Sequence, residues 1–301
     1  MGTEHDALRS RLGRIGAWTF AFDEMPAVEV RTAAAAIEGL GFPALWIPEG
    51  SSGREIFSHL SLLLASTSSI AVCSGIANVT ARHPVAFANG AKTLADAYRE
   101  RPVFGIGIGH QYSTATRGIG WSNPLGRMRD YLDGIDDAPS SLPDPAIGPR
   151  RLLAALGDGM LRLSAERALG AHSYFVPVSH TAHAREVLGP EPILAVEQTV
   201  VVETDPERAR RIARGWTSGY LDLPNYANNL RRMGFGDDDV AGGGSDALVD
   251  ATIAWGSAEA IAARAREHLD AGADHVCLQV ISGVGDDPCL PQLTELAGLL
   301  L

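Results

Sequence analysis

Cysteine is scarce in this chain. Cys73, Cys277 and Cys289 are the only three in 301 residues, and they lie far apart. That spacing matches no metal-ligand set and excludes a disulfide framework. Cys73 and Cys277 sit inside apolar runs, where a thiol packs as a small core residue. A reducing cytoplasm is the expected compartment. Positive charge is also short: the net charge is −11. A phosphate backbone needs a basic face, so nucleic acid is excluded as a partner. No apolar run reaches the roughly 18 residues of a membrane span. Met1–Arg14 is polar and charged, without the apolar centre of a signal peptide. A Walker loop, a nucleophile elbow, an HExxH pair and a Ser/His/Asp order are all missing.

What the chain does have is alternation. Hydrophobic residues make up 46%, enough to bury a large core. Apolar, β-branched runs predict eight strands: Gly13–Phe20, Ala44–Pro48, Ile70–Ile76, Val103–Gly109, Arg151–Leu156, Ala171–Val176, Ile193–Glu203 and His275–Ile281. Helical patterns fall between them, such as Pro26–Leu40, Val85–Glu100 and Pro124–Asp136. Asp205-Pro206 and Ser257 supply helix-start signals, and Gly41 and Gly272 supply stops. Eight β/α units that close on themselves make a TIM barrel, here a single α/β domain over residues 1–301. Two connections are too long for plain loops, about 111–150 after the fourth strand and 215–256 after the seventh. At the carboxyl ends of strands, such insertions serve as lids or substrate walls; the alternative is surface decoration or a dimer contact.

Strand ends in such a barrel are where binding residues gather. The third strand runs into Gly75-Ile76-Ala77-Asn78 and then Arg82-His83-Pro84; the fourth runs through Gly105-Ile106-Gly107-Ile108-Gly109 into His110. Glycines within a strand mark close approach of a flat group or of another backbone. The G-x-G-x-G spacing on a fourth strand, followed by His110-Gln111 rather than by a helix start, argues against a dinucleotide fold. His110 titrates near neutrality and is the candidate acid or base. Glu49-Gly50 ends the second strand, Ala155-Leu156-Gly157 the fifth and Ser173-Tyr174 the sixth. Asp158 is a candidate N-cap, and the helix start beside it a candidate anion site.

Taken in order, these segments resemble the luciferase-like monooxygenase superfamily, in its branch of actinobacterial F420-dependent oxidoreductases. The resemblance runs from Gly13-Arg14-Ile15-Gly16 to His275-Val276-Cys277. It implies a TIM barrel, usually dimeric, with coenzyme F420 across the strand ends and a small-molecule substrate; FMN is the alternative cofactor. It further implies a non-proline cis bond at Gly75–Ile76 forming a bulge. The matching cofactor positions are Gly75, Ile76, Asn78, Gly107, Gly109, Ala155, Gly157 and Tyr174, with Arg82 as a candidate for an anionic tail. His110 and Glu49 are the expected catalytic pair, one handling a proton and the other supporting the ring. Relatives often carry Asp-His where this chain has Glu49-Gly50, so that histidine's role does not transfer. Trp18, Trp46, Trp121 and the 215–256 segment are expected to wall the mouth. Arg82, Arg117, Arg127 or Arg150 are expected to supply its positive charge. The expected activity is hydride transfer at the deazaflavin C5; the alternatives are flavin monooxygenation and a barrel without turnover.

Overall fold

A computed structural model describes residues 3–283 and 287–301. It contains nine parallel strands: β1 (Ile15–Trp18), β2 (Ala44–Ile47), β3 (Ala71–Asn78), β4 (Pro102–Gly107), β5 (Arg150–Ala154), β6 (Gly170–Ser173), β7 (Ile193–Val202), β8 (Ala254–Gly256) and β9 (His275–Val280). Pairing runs from β1 in order to β7, then through β9 back to β1, so eight of them close a barrel. The eight expected strands correspond to β1–β7 and β9. The unforeseen strand, β8, lies outside the ring and pairs only with the far end of β7, Val200–Val202. Its Ala-Trp-Gly is too short to show any alternation.

Side-chain direction alternates along each strand and sorts the core into two layers. Leu45, Ile47, Val72 and Phe104 face outward and pack under the helices. Ala44, Trp46, Cys73, Val103, Leu152 and Cys277 face inward. The amino end of the barrel is sealed by the helix Glu4–Leu12, whose Leu8 and Leu12 join that inner layer. In sequence this helix shows only as a polar start of the chain, because its apolar face has just those two anchors. It opens on a capping box between Thr3 and Asp6. The end of the chain also carries an unforeseen helix, Leu290–Leu300.

Inside the seal lies a polar relay. Trp46 Nε1 donates to His275 Nε2 at 3.0 Å, and His275 Nδ1 donates to the Gly13 carbonyl at 2.8 Å. Trp46 is therefore fully buried in the barrel interior rather than at the mouth where the sequence put it. Its position on β2, three residues before Glu49, points it inward but below the strand end.

Both long connections are structured. The first holds the helices Gln111–Thr116 and Pro124–Asp136. His110 is the N-cap of the first of these, so a helix does begin there; Ser113, Thr114 and Thr116 in a six-residue turn hide it from periodicity. The second begins within the helix Pro206–Leu221 and continues through Pro224–Arg232 and Asp246–Thr252 to β8. Among the described residues no helix is long and apolar enough to cross a membrane.

Candidate active site

At the carboxyl end of the barrel opens a cavity of about 760 Å³. Its wall comes from the strand ends and from both insertions. Gly75, Ile76, Asn78, Gly109, His110, Ala155, Gly157 and Tyr174 line it, as do Glu49, Trp18 and Trp121. The insertions add Tyr112, Tyr220, Tyr226 and Arg232. Two sequence candidates stand elsewhere. The inner side of Gly107 is filled by Ile76, where a Cβ would overlap the isoleucine Cδ1. Arg82 is turned away into a cluster of carboxylates.

The bulge in β3 is real, but it is built from trans peptides. Ser74 pairs with Phe104 and Ala77 with Ile106, so three steps on β3 oppose two on β4. All peptide bonds among the described residues are trans, including Gly75–Ile76, where a cis bond was expected. The extra residue is absorbed by the register shift, and glycines on both strands make room for it. A Cβ on Gly105 would overlap the Ser74 carbonyl. The glycine run of β4 thus answers to its neighbouring backbone. Gly109 has φ +75°, and a Cβ there would overlap Asn78 Nδ2.

Glu49 is held by the chain's own groups. Both its oxygens accept from the Arg82 guanidinium, Oε2 also from the Asn78 amide at 2.7 Å and Oε1 from the Ile56 amide at 3.3 Å. Four donors fill a carboxylate's acceptor sites. Its side chain is only 4% exposed. Glu49 therefore ties the ends of β2 and β3 together. Arg82 is shared with Glu55 at 3.0 Å, so its charge is spent inside the fold.

The other expected cations also lie off the cavity. Arg117 bonds the Ser113 carbonyl and Arg127 the Gly120 carbonyl. Arg150 is buried at the start of β5, the opposite end of the barrel from the mouth. The cation at the mouth is Arg232, which sequence reading left unassigned. A Cβ on Gly157 would lie 3.6 Å from its guanidinium. It bonds Asn229 at 3.0 Å and has no carboxylate at ion-pair distance among the described residues. Below it begins the helix Asp158–Arg167, whose N-cap is Gly157, so Asp158 is the first helical residue rather than the cap. Asp158 pairs with His183 at 2.8 Å and Arg162 at 3.3 Å.

His110 stacks on Tyr112 at 5.6 Å and leans on Tyr226 at 5.5 Å. Burial lowers its pKa, against a hydrogen bond with the Asn225 side chain that raises it. Its Nδ1 is buried and has no hydrogen-bond partner among the described residues. Opposite stands a chain of hydroxyls. Tyr174 bonds Gln279 Oε1 at 2.8 Å, and the Tyr174 and Tyr220 hydroxyls share a hydrogen bond at 3.0 Å. Deep in the same barrel, Glu197 accepts from Thr199 and the Phe175 amide, and burial pushes its pKa up to about 7.

Three comparisons bear on this arrangement. The sequence pattern of luciferase-like monooxygenases matches residues 11–275. Among curated proteins, the 5,10-methylenetetrahydromethanopterin reductase of Methanolobus tindarius is 27% identical over 110 residues, 36% of this chain and 34% of that protein. The same enzyme of Archaeoglobus fulgidus is 32% identical over 98 residues, 33% of this chain and 30% of its own length. The chain thus matches about a third of the length of these curated relatives. Among solved structures, an F420-dependent secondary alcohol dehydrogenase bound to an F420-acetone adduct superposes with a TM-score of 0.75 at 13% identity, over 96% of this chain and 99% of that one. The coenzyme F420-dependent tetrahydromethanopterin reductase of Methanopyrus kandleri gives 0.74 at 16%, over 94% and 97%. The oxygenating constituent of 3,6-diketocamphane monooxygenase from Pseudomonas putida, in complex with FMN, gives 0.69 at 18%, over 96% and 99%. At these identities the structures establish the shared barrel fold.

Proposed function

The chain belongs to the luciferase-like monooxygenase family, and on that premise we propose that it is an F420-dependent oxidoreductase acting on a small, uncharged organic substrate. The observation that carries this is the division of the cavity into an aromatic interior, whose Glu49 is neutralised by Arg82, and a rim where Arg232 has no carboxylate at ion-pair distance among the described residues. That division fits a planar ring with an anionic tail. Orphaned buried polar atoms in the wall, His110 Nδ1 and Trp18 Nε1, also fit a polar ring system. When bound, the deazaflavin supplies hydride chemistry at its C5.

The chain's own residues would do the rest. Arg232 and the amides of the helix beginning at Asp158 would hold the tail. Gly75 and Ile76 would back the ring, and Trp18, Tyr174 and Tyr226 would exclude water from it. His110, kept uncharged by burial, would hand a proton to or from substrate at Nδ1. Glu49 would act one step removed, by fixing the strand ends. The homodimer and the cytoplasmic setting expected from the sequence belong to the same proposal. The three buried, free cysteines suit a reducing compartment.

The experiment is a parallel fluorescence titration of the purified protein with F420 and with FMN, repeated on Arg232→Gln. F420 should bind more tightly than FMN, and the variant should lose about tenfold in F420 affinity, the worth of one charge-assisted hydrogen bond. A preference for FMN would turn the assignment to flavin monooxygenation. Binding of neither would leave a barrel without turnover.

A further inference from the structure

Two buried side chains in the cavity wall carry polar atoms that the folded chain leaves unmatched. Trp18 is 2% exposed, and its Nε1–H meets no acceptor among the described residues. A Cβ on Gly75 would lie 2.6 Å from that nitrogen, so the glycine of the bulge gives the indole its place beside the wall. His172, on β6, is 1% exposed. Its Nδ1 donates to the Ala195 carbonyl at 3.3 Å, which makes Nε2 the acceptor, and Nε2 has no donor among the described residues. The ring is pinned by stacking on Trp46, with centroids 4.5 Å apart and planes 17° from parallel.

Two buried groups nearby are matched, Trp46 Nε1 by His275 and Ser173 by the Ala155 carbonyl at 3.0 Å, while Gln279, which takes the Tyr174 hydroxyl on its oxygen, leaves its nitrogen without a partner among the described residues. Buried polar atoms are satisfied as a rule; among the described residues this cavity wall has three exceptions, of which His110 is only partly buried, so the two fully buried ones, Trp18 and His172, mark a place where a partner arrives from outside. The two exceptions are complementary: Trp18 only donates and His172 Nε2 only accepts. Neither carries charge, and Arg82 is occupied by Glu49 and Glu55.

We propose that Trp18 Nε1 and His172 Nε2 form a subsite for a neutral group that offers an acceptor and a donor together, such as a hydroxyl, a lactam or an imide edge, and that disfavours a carboxylate. The inference rests on the cavity being the ligand site proposed above, though not on which cofactor fills it. The group can come from the pyrimidine edge of the bound ring system or from the substrate, and the two sources give different results.

Dissociation constants would be measured for lumiflavin and N3-methyl-lumiflavin on the free protein. Those for cyclohexanol and cyclohexanecarboxylate would be measured on protein saturated with F420 or FMN. Both sets would be repeated on Trp18→Phe and His172→Leu after a thermal melt shows them folded. If the ring edge is the occupant, N3-methylation weakens binding about tenfold in the wild type and has little effect in His172→Leu. If the substrate is, the two flavins bind alike; cyclohexanol then outbinds the carboxylate by about tenfold, and either variant abolishes that preference. Discrimination absent from the wild type, or undiminished in both variants, overturns the subsite. Should the variants fail to fold, the wild-type indole ¹H–¹⁵N resonance of Trp18 decides. It should move downfield with lumiflavin or cyclohexanol, and an unmoved resonance at saturation overturns the proposal. Failure of the cofactor assignment would look different: neither intact F420 nor FMN would bind the wild type.

Discussion

Two polar corners of the same cavity differ in one respect. At Glu49 and Arg82 each charge meets its partners within the chain, down to the amides of Ile56 and Asn78. At Trp18 and His172 no such closure exists. Both corners are buried, and both contain residue types that a search for catalytic groups would select. The difference separates a brace from a receptor. A carboxylate whose acceptor sites are full holds strands in place, whereas a buried N–H with nothing to bond is a cost that the fold sustains for a ligand.

The broadest way to stress this contrast is acid. Burial lowers the pKa of His172 and His268 to about 3, and of His59, His180 and His275 to about 4. Groups depressed on folding contribute stability that is complete above the ordinary value near 6.5 and is lost as pH falls toward 4 and 3. Glu197, raised to about 7, acts with the opposite sign: its contribution is complete below its ordinary value near 4.5 and is lost as pH rises through 7. Five imidazoles outweigh one carboxyl. Urea denaturation should therefore show several kcal/mol less stability at pH 5 than at pH 7. Equal stability at the two would mean that the barrel interior admits water.

A narrower break is Arg82→Met, which leaves the Glu49 carboxylate buried and unpaired. The expected loss is about 3–5 kcal/mol in the same assay. Glu55, the other carboxylate on Arg82, adds a second negative charge rather than a replacement cation. A loss under about 1 kcal/mol, the worth of a surface pair, would remove the brace from the account. The smallest effect is expected from Gly75→Ala. Its methyl would sit 2.6 Å from Trp18 Nε1, and the indole can yield. Overpacking of about 1–2 kcal/mol should appear as a lower Tm, with the Trp18 indole resonance displaced in the free protein. An unchanged Tm would show that the bulge has slack.

The barrel was legible because β-branched runs and helix caps recur at regular intervals. Candidates at strand ends were legible for the same reason: position on a strand fixes which end a residue occupies, and so Asn78, His110, Ala155 and Tyr174 meet at one mouth. Partnership was not legible. Arg82 and Arg232 are equally plausible cations on paper, yet only the fold reveals that two glutamates surround the first. Arg232 comes from the inserted helix Pro224–Arg232, outside the β/α rhythm, where nothing in the spacing ties it to Gly157. Trp46 and Trp18 face each other in register on β2 and β1, yet one is matched by His275 and the other is not. Glycines misled in one place: Gly107 serves Ile76, not the cavity.

The helix Glu4–Leu12 stoppers the barrel with Leu8 and Leu12, leaving the carboxyl end as the way in. A vessel with one neck is filled and emptied past the same residues. Tyr112, Tyr220, Tyr226 and Arg232 of the insertions line that cavity, so bulk added among them should slow entry and exit alike.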